Sequence, residues 1–175
     1  CGICGFTGQI VDRNETIKNM TDVITHRGPD SDGLFQDDYI SMGFRRLSII
    51  DLDGGTQPIY NEDKSLVITF NGEIYNYKIL REQLIKAGHK FYTDTDSEVL
   101  IHGFEEWGEE MLPKLRGMFG FAIYNKNDGS LFIARDFFGI KPMHYTLIDG
   151  NLVYGSEIKS ILQHPDFKKE FNEKA

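Results

Sequence analysis

The residue with the clearest chemical potential is Cys1, at the head of the run Cys1-Gly2-Ile3-Cys4-Gly5. With Cys1 as the terminal residue, its α-amine and its thiol hang from the same carbon. A thiol becomes a strong nucleophile only on losing its proton, and its ordinary pKa of about 8.5 lies just above the roughly 7.7–8.0 of an α-amine. One residue would then supply both nucleophile and base. An initiator methionine ahead of a small residue is removed by ordinary processing, so the expectation is a cytosolic chain that exposes Cys1. Other readings compete. A lipid-modified cysteine is usually followed by a flexible polar tether, whereas Gly2 to Ile10 is apolar and strand-like. A Cys-x-x-Cys pair could serve redox or zinc chemistry, yet zinc needs a second ligand pair, no second cysteine pair exists, and the five histidines are scattered along the chain. The plainest reading makes Cys4 a small core residue and Cys1 an accident of truncation.

A nucleophile acting on an acyl carbon needs donors aimed at the developing oxyanion, and Asn71-Gly72 offers them. The Asn71 side-chain amide and the Gly72 N–H could address one oxygen, since glycine lets a substrate approach the backbone. The dipeptide is equally an ordinary hairpin turn. Arg46 presents a planar fork that matches a carboxylate, and Asp96 could accept hydrogen bonds from an ammonium group. Together they would read the backbone of an amino acid. Taken singly, Arg46 could be a solvated strand residue and Asp96 a helix cap. Arg45 competes with Arg46, but neighbouring strand residues face opposite ways, so only one of them should reach the site.

These residues must be held by a scaffold of short strands and amphipathic helices. The pattern predicts a first strand over 2–9 and a helix capped by Asn14, with Ile17, Met20 and Ile24 on one face. Strands follow at 34–35, 39–44 and 47–50, then a polar loop over 51–58, a strand over 66–70 and a tight turn at Asn71-Gly72. A helix over about 77–87 stops at Gly88. Thr95-Asp96-Ser97-Glu98 has the form of a capping box opening the next helix. Two hairpins are expected, over 118–125 with 130–135 and over 143–148 with 151–154, and a final helix over 157–162. Many antiparallel strands with helices grouped between them make an α+β domain of two packed sheets with helices outside. Residues 1–162 read as this domain, and 163–175 as the start of a linker.

Composition narrows the function. A chain of 175 residues suits one domain, enough to bury roughly 70% of the surface its unfolded form exposes. A net charge of −8 and a pI near 5.1 argue against a nucleic-acid or anionic-membrane partner. No apolar run approaches the roughly 20 residues of a membrane span. Both thiols are expected to be reduced, in the cytoplasm.

Set in order, the motifs carry a resemblance. The start Cys1-Gly2-Ile3, the loop His26-Arg27-Gly28-Pro29-Asp30-Ser31-Asp32-Gly33, Arg46-Leu47-Ser48-Ile49-Ile50-Asp51, Phe70-Asn71-Gly72-Glu73-Ile74-Tyr75-Asn76 and Thr95-Asp96-Ser97-Glu98-Val99-Leu100 are similar to the glutaminase domain of glutamine-dependent asparagine synthetases, which are class II glutamine amidotransferases. The likeness continues through Leu115-Arg116-Gly117-Met118-Phe119-Gly120, Arg135-Asp136, Phe138-Gly139-Ile140-Lys141-Pro142 and Ser156-Glu157-Ile158-Lys159.

The resemblance implies the N-terminal nucleophile hydrolase fold, a four-layer α-β-β-α sandwich of two antiparallel sheets. It assigns Cys1 the attack on the side-chain amide of L-glutamine, giving a glutamyl thioester and ammonia. Asn71 and Gly72 fall on the oxyanion hole, Arg46 on the binder of the substrate α-carboxylate, and Asp96 with Glu73 on contacts to its α-amino group. Ile49 and Ile50 would line the pocket through their backbone, and Arg27 would support the Cys1 terminus. Cys4 receives no role. The glutaminase step would need no metal or cofactor. ATP and Mg are expected only for a C-terminal synthetase domain, whose pyrophosphate loop has no counterpart in this sequence. A homodimer is compatible with this picture. Other amide-forming enzymes with the same domain, and a non-catalytic regulatory binding module, are the alternatives.

Overall fold

Alternation along the strands sorts the apolar side chains into three clusters, and those clusters define the layers. A computed structural model describes residues 1–48 and 56–170. Strands β1 (Gly2–Thr7), β2 (Ser31–Gln36), β3 (Ile40–Arg46), β8 (His144–Ile148) and β9 (Asn151–Gly155) form one sheet in the order β2-β3-β1-β9-β8. The second sheet runs β4-β5-β6-β7 from Ile59–Tyr60, Leu66–Ile74, Gly117–Asn125 and Leu131–Arg135. Every strand pairing is antiparallel.

Between the sheets lie Ile3, Met42, Phe44, Val67, Ala122, Tyr124 and Tyr154, all buried. Cys4 and Phe6, on the opposite face of β1, pack with Ile17, Met20 and Ile24 of and beyond helix α1 (Arg13–Asp22) and with Ile161 of α4 (Ile158–Ile161). On the far side, Ile68, Phe70, Phe121 and Ile123 meet Leu80 and Leu84 of α2 (Tyr77–Ala87) and Val99 to Ile101 of α3 (Ser97–Trp107). The result is the expected four-layer α-β-β-α sandwich. Packing runs past residue 162: His164 is buried edge-on against Phe6, and Phe167 lies on the same cluster.

Three local expectations fail for identifiable reasons. Asn71-Gly72 makes no turn. β5 continues to Ile74, with Asn71 opposite Gly120 and Gly72 opposite Phe119. A nine-residue ladder outweighs the turn preference of one dipeptide. Helix α1 begins one residue before Asn14, on Asp12 in the left-handed conformation, without a side-chain cap. Arg13 reaches the carbonyls of Asp37 and Ile40, which fixes the helix start against β3. Leu47 and Ser48 extend no strand, because their amides bond the Cys1 thiol and Asp30 Oδ2 instead. The remainder of that expected strand, and most of the 51–58 loop, falls outside the described residues.

Candidate active site

Cys1 sits at the mouth of the sandwich, half-buried against the cluster between the sheets. Its α-amine donates to the Arg27 carbonyl at 2.6 Å, and Arg27 Nε returns a bond to the Cys1 carbonyl at 3.0 Å. This reciprocal pair fixes the terminus. Arg27 is itself held by Glu157 at 3.0 Å, and Glu157 also takes His26 at 2.7 Å and Lys159 at 3.1 Å. Burial opposes the charge on Glu157, but bonds from His26, Arg27 and Lys159 prevail and lower its pKa to about 2. The Leu47 N–H points at the Cys1 sulfur from 3.4 Å, and the thiol in turn lies 3.9 Å from the Leu47 carbonyl.

Burial, with the positive charges of Arg27 and Lys141, lowers the Cys1 α-amine to about 6 against the opposing pull of Asp30. A neutral amine beside a thiol at neutral pH is a base in place. Lys141 reaches this region because buried Asp136 accepts the amides of Phe119, Ile140 and Lys141, shaping the loop that carries it.

Strand alternation sends Arg46 and Arg45 to opposite faces. Arg45 turns to α1, where it bonds the Thr21 carbonyl at 3.2 Å and Asp22 at 2.5 Å. Arg46 is buried and shares the parity of Met42 and Phe44, which face the space between the sheets. In β1 the pairing of Gly2 with Arg45 puts Cys1 beside Arg46.

Asn71 lies on the inner face of β5, on the same parity as Val67, and is buried. Its side-chain Nδ2 has no hydrogen-bond partner among the described residues. A buried amide donor without an acceptor is costly, about 1–3 kcal/mol, unless something else supplies the acceptor. The adjacent backbone completes the arrangement. The N–H of Phe119 donates to Asp136 and its carbonyl accepts from Asp136, so both point away from its partner Gly72. In an antiparallel ladder both members of such a pair turn outward. The Gly72 amide therefore faces the outer edge of β5, in line with those of Phe70 and Ile74. Phe70 N–H is taken by Gln57 at 2.7 Å and Ile74 N–H by Asp96 at 2.8 Å. Gly72 N–H, between them, meets no side-chain acceptor among the described residues. A Cβ on Gly72 would lie 2.1 Å from the Met118 carbonyl, so no larger residue fits.

Gln57 also ties the two sheets together at this end. It grips Phe70 through both side-chain atoms, while its carbonyl lies where a Cβ on Gly33 would come within 2.0 Å. Gly33 pairs with Phe44, two residues before Arg46. Cys1, Arg46 and the Asn71-Gly72 stretch thus gather at one end of the sandwich.

Asp96 precedes α3 yet makes no side-chain cap; it turns to β5 instead. Burial raises its pKa, and exposed Glu73 adds to the shift, against the bond from Ile74. Two mutually repelling carboxylates favour a positively charged ligand. The expected capping box does not close either, since Glu98 reaches back to the amides of Tyr92 and Thr93. Ile49 and Ile50, expected to line the pocket, lie outside the described residues. Sequence reasoning assigned no part in the site to Glu157, His26, Asp30, Leu47 and Lys141. The positions lay within the motifs quoted above, but their contacts join segments up to 133 residues apart.

The family described as glutamine amidotransferase domain matches residues 1–175. Glutamine-hydrolyzing asparagine synthetase 1 of Bacillus subtilis is 51% identical over 168 residues, covering 91% of this chain and 27% of that protein. Its counterpart 2 of Arabidopsis thaliana is 42% identical over 167 residues, covering 92% of this chain and 28% of that protein. The chain therefore spans about a quarter of the length of these relatives. Among solved structures, the glutamine phosphoribosylpyrophosphate amidotransferase of B. subtilis superposes with a TM-score of 0.76 at 20% identity, over 92% of this chain and 43% of that one. The latter likeness concerns the fold.

Proposed function

This chain belongs to the glutamine amidotransferase domain family, and from that premise we propose that it hydrolyses the side-chain amide of L-glutamine with Cys1 as nucleophile. The Cys1 thiol gives its proton to the neutral α-amine, directly or through a water, and the thiolate adds to the carboxamide carbon. The oxyanion that forms is met by Asn71 Nδ2–H and the Gly72 N–H. Collapse expels ammonia, which leaves with the proton held by the α-ammonium, and a glutamyl thioester remains on Cys1. Water then adds to the thioester carbon, the C–S bond breaks, the Cys1 sulfur takes up the water's proton to restore the thiol, and glutamate is released. Arg46 binds the substrate α-carboxylate, Asp96 and Glu73 bind its α-ammonium, the backbone of Ile49 and Ile50 lines the pocket, and Arg27 keeps the nucleophile in place.

The observation that carries this reading is the depressed α-amine of Cys1 together with the buried amide of Asn71, which has no partner among the described residues. This step uses no cofactor. The ammonia is passed to a synthetase portion of a longer protein, as the names of its relatives suggest, and ATP and Mg would be used there. A cytoplasmic setting agrees with a thiol that must stay reduced, and no described helix is long and apolar enough to cross a membrane. The test is glutamate release from glutamine by this chain beside Cys1→Ala, with intact mass confirming Cys1 as the terminus. Release that is absent from Cys1→Ala supports the reading. Equal release by both proteins overturns it.

A further inference from the structure

Away from Cys1, four side chains from three segments converge. Glu62 stands in the turn between β4 and β5, His89 follows the end of α2, and His102 and Glu105 lie one turn apart on α3. One ligand atom from each falls within 4.8 Å of the others. His102 Nδ1 is 3.3 Å from Glu62 Oε2, His89 Nδ1 is 3.5 Å from Glu62 Oε1, and His89 Nδ1 is 3.7 Å from Glu105 Oε2. A tetrahedral cation with bonds of about 2.0–2.1 Å sets its ligand atoms about 3.3–3.4 Å apart. These three separations are near that spacing, and the remaining pairs, within 4.8 Å, must close further to reach it.

The surroundings favour a cation over a proton. His102 is fully buried, yet neither its Nδ1 nor the facing Glu62 Oε2 has a hydrogen-bond partner among the described residues. The other nitrogen of each imidazole lies on an outer carboxylate. His102 Nε2 is 3.2 Å from Glu98, and His89 Nε2 is 3.0 Å from Glu106. An Nε2–H given to a carboxylate leaves the Nδ1 lone pair aimed inward, and metal-binding histidines are oriented in this way. Two neutral imidazoles and two carboxylates balance a divalent charge, and this nitrogen and oxygen set suits zinc and its neighbours.

We propose that Glu62, His89, His102 and Glu105 bind one divalent transition-metal cation of the zinc type as a structural clamp. The ion fastens the β4–β5 turn and the α2–α3 connection to α3, the helix that begins immediately after Asp96. It takes no part in the chemistry at Cys1.

The test uses the whole chain, freed of metal with a chelator and titrated with Zn²⁺ against a chromophoric indicator. Co²⁺ serves as a second probe, read by its visible ligand-field bands. Cys1→Ser is measured in parallel, because the thiolate is the competing ligand. The expected result is one equivalent bound by both proteins, without sulfur-to-metal charge transfer. Glu62→Gln and Glu105→Gln should weaken binding at least tenfold, and the outer substitution Glu106→Gln by about 10–100-fold. Glu105 and Glu106 are partly exposed, so these variants keep the fold, and far-ultraviolet spectra check it. Zn²⁺ at a hundred times its Kd should raise the folding constant about 100-fold. No binding, binding lost in Cys1→Ser, or binding unchanged by Glu62→Gln and Glu105→Gln would overturn the proposal.

Discussion

A base whose pKa is about 6 is protonated below that value and free above it. If the Cys1 amine accepts the thiol proton, kcat/KM should therefore rise with pH through about 6 and level off above it. Arg27 helps to hold the amine low, so Arg27→Ala should shift that limb to higher pH. One extra residue before Cys1 turns the amine into an amide, and activity should fall by orders of magnitude with an unchanged melting temperature. A pH series on the processed and extended forms checks both points. Equal activity in the two forms would remove the amine from the mechanism. Asn71→Ala takes away one oxyanion donor and should cost about 10²–10³ in kcat with little change in KM. At this scale the sequence was informative, because each proposed role needs a particular functional group. The paired partners of those groups were beyond its reach: nothing in the local sequence says that Glu157 holds Arg27.

Elements were legible where periodicity was long and caps were clear. Helix α2 follows its predicted span and ends at Gly88, and both C-terminal hairpins form around their Asp-Gly turns. Asn71-Gly72 was misjudged because pairing with β6, far along the chain, decided its conformation. The loop that carries Lys141 depends on one buried carboxylate. Asp136→Ala would leave the amides of Phe119, Ile140 and Lys141 without their acceptor. Its expected cost is about 3 kcal/mol in denaturant unfolding, at the upper end of the range for a stranded buried group. Burial raises the pKa of Asp136, but the amide bonds outweigh it and the net shift is downward. The stability Asp136 adds is then complete above about pH 4 and is lost as pH falls through the depressed folded value. The gap between wild type and Asp136→Asn should narrow over that window.

At the scale of the whole molecule, three apolar clusters hold four layers together, and the site lies where the two sheets meet. Phe121 is fully buried on the helix-facing side of β6, beside Phe119 and Phe132. Phe121→Ala should cost about 3–5 kcal/mol, seen as a lower denaturation midpoint. Because the Asn71-Gly72 stretch pairs with the same strand, glutamine turnover should decline at a lower temperature in that variant. A net charge of −8 fits a small zwitterionic substrate bound by paired charges better than a polyanion.

The sequence by itself named the candidate nucleophile and the candidate donors and clamps, whose roles its resemblance to a family implies, and it determined the two-sheet class and most element boundaries. These depend on functional groups and on periodicities of 2 and 3.6, which are local properties of a chain. Only the tertiary structure decided the rest. It lowered the Cys1 amine by burying it among positive charges, ran β5 straight through an apparent turn, and separated Arg45 from Arg46 by giving them different neighbours. It also brought two of five scattered histidines together with two glutamates. Each of these outcomes rests on contacts between distant segments, whose energies are absent from any local pattern and appear only when the layers pack.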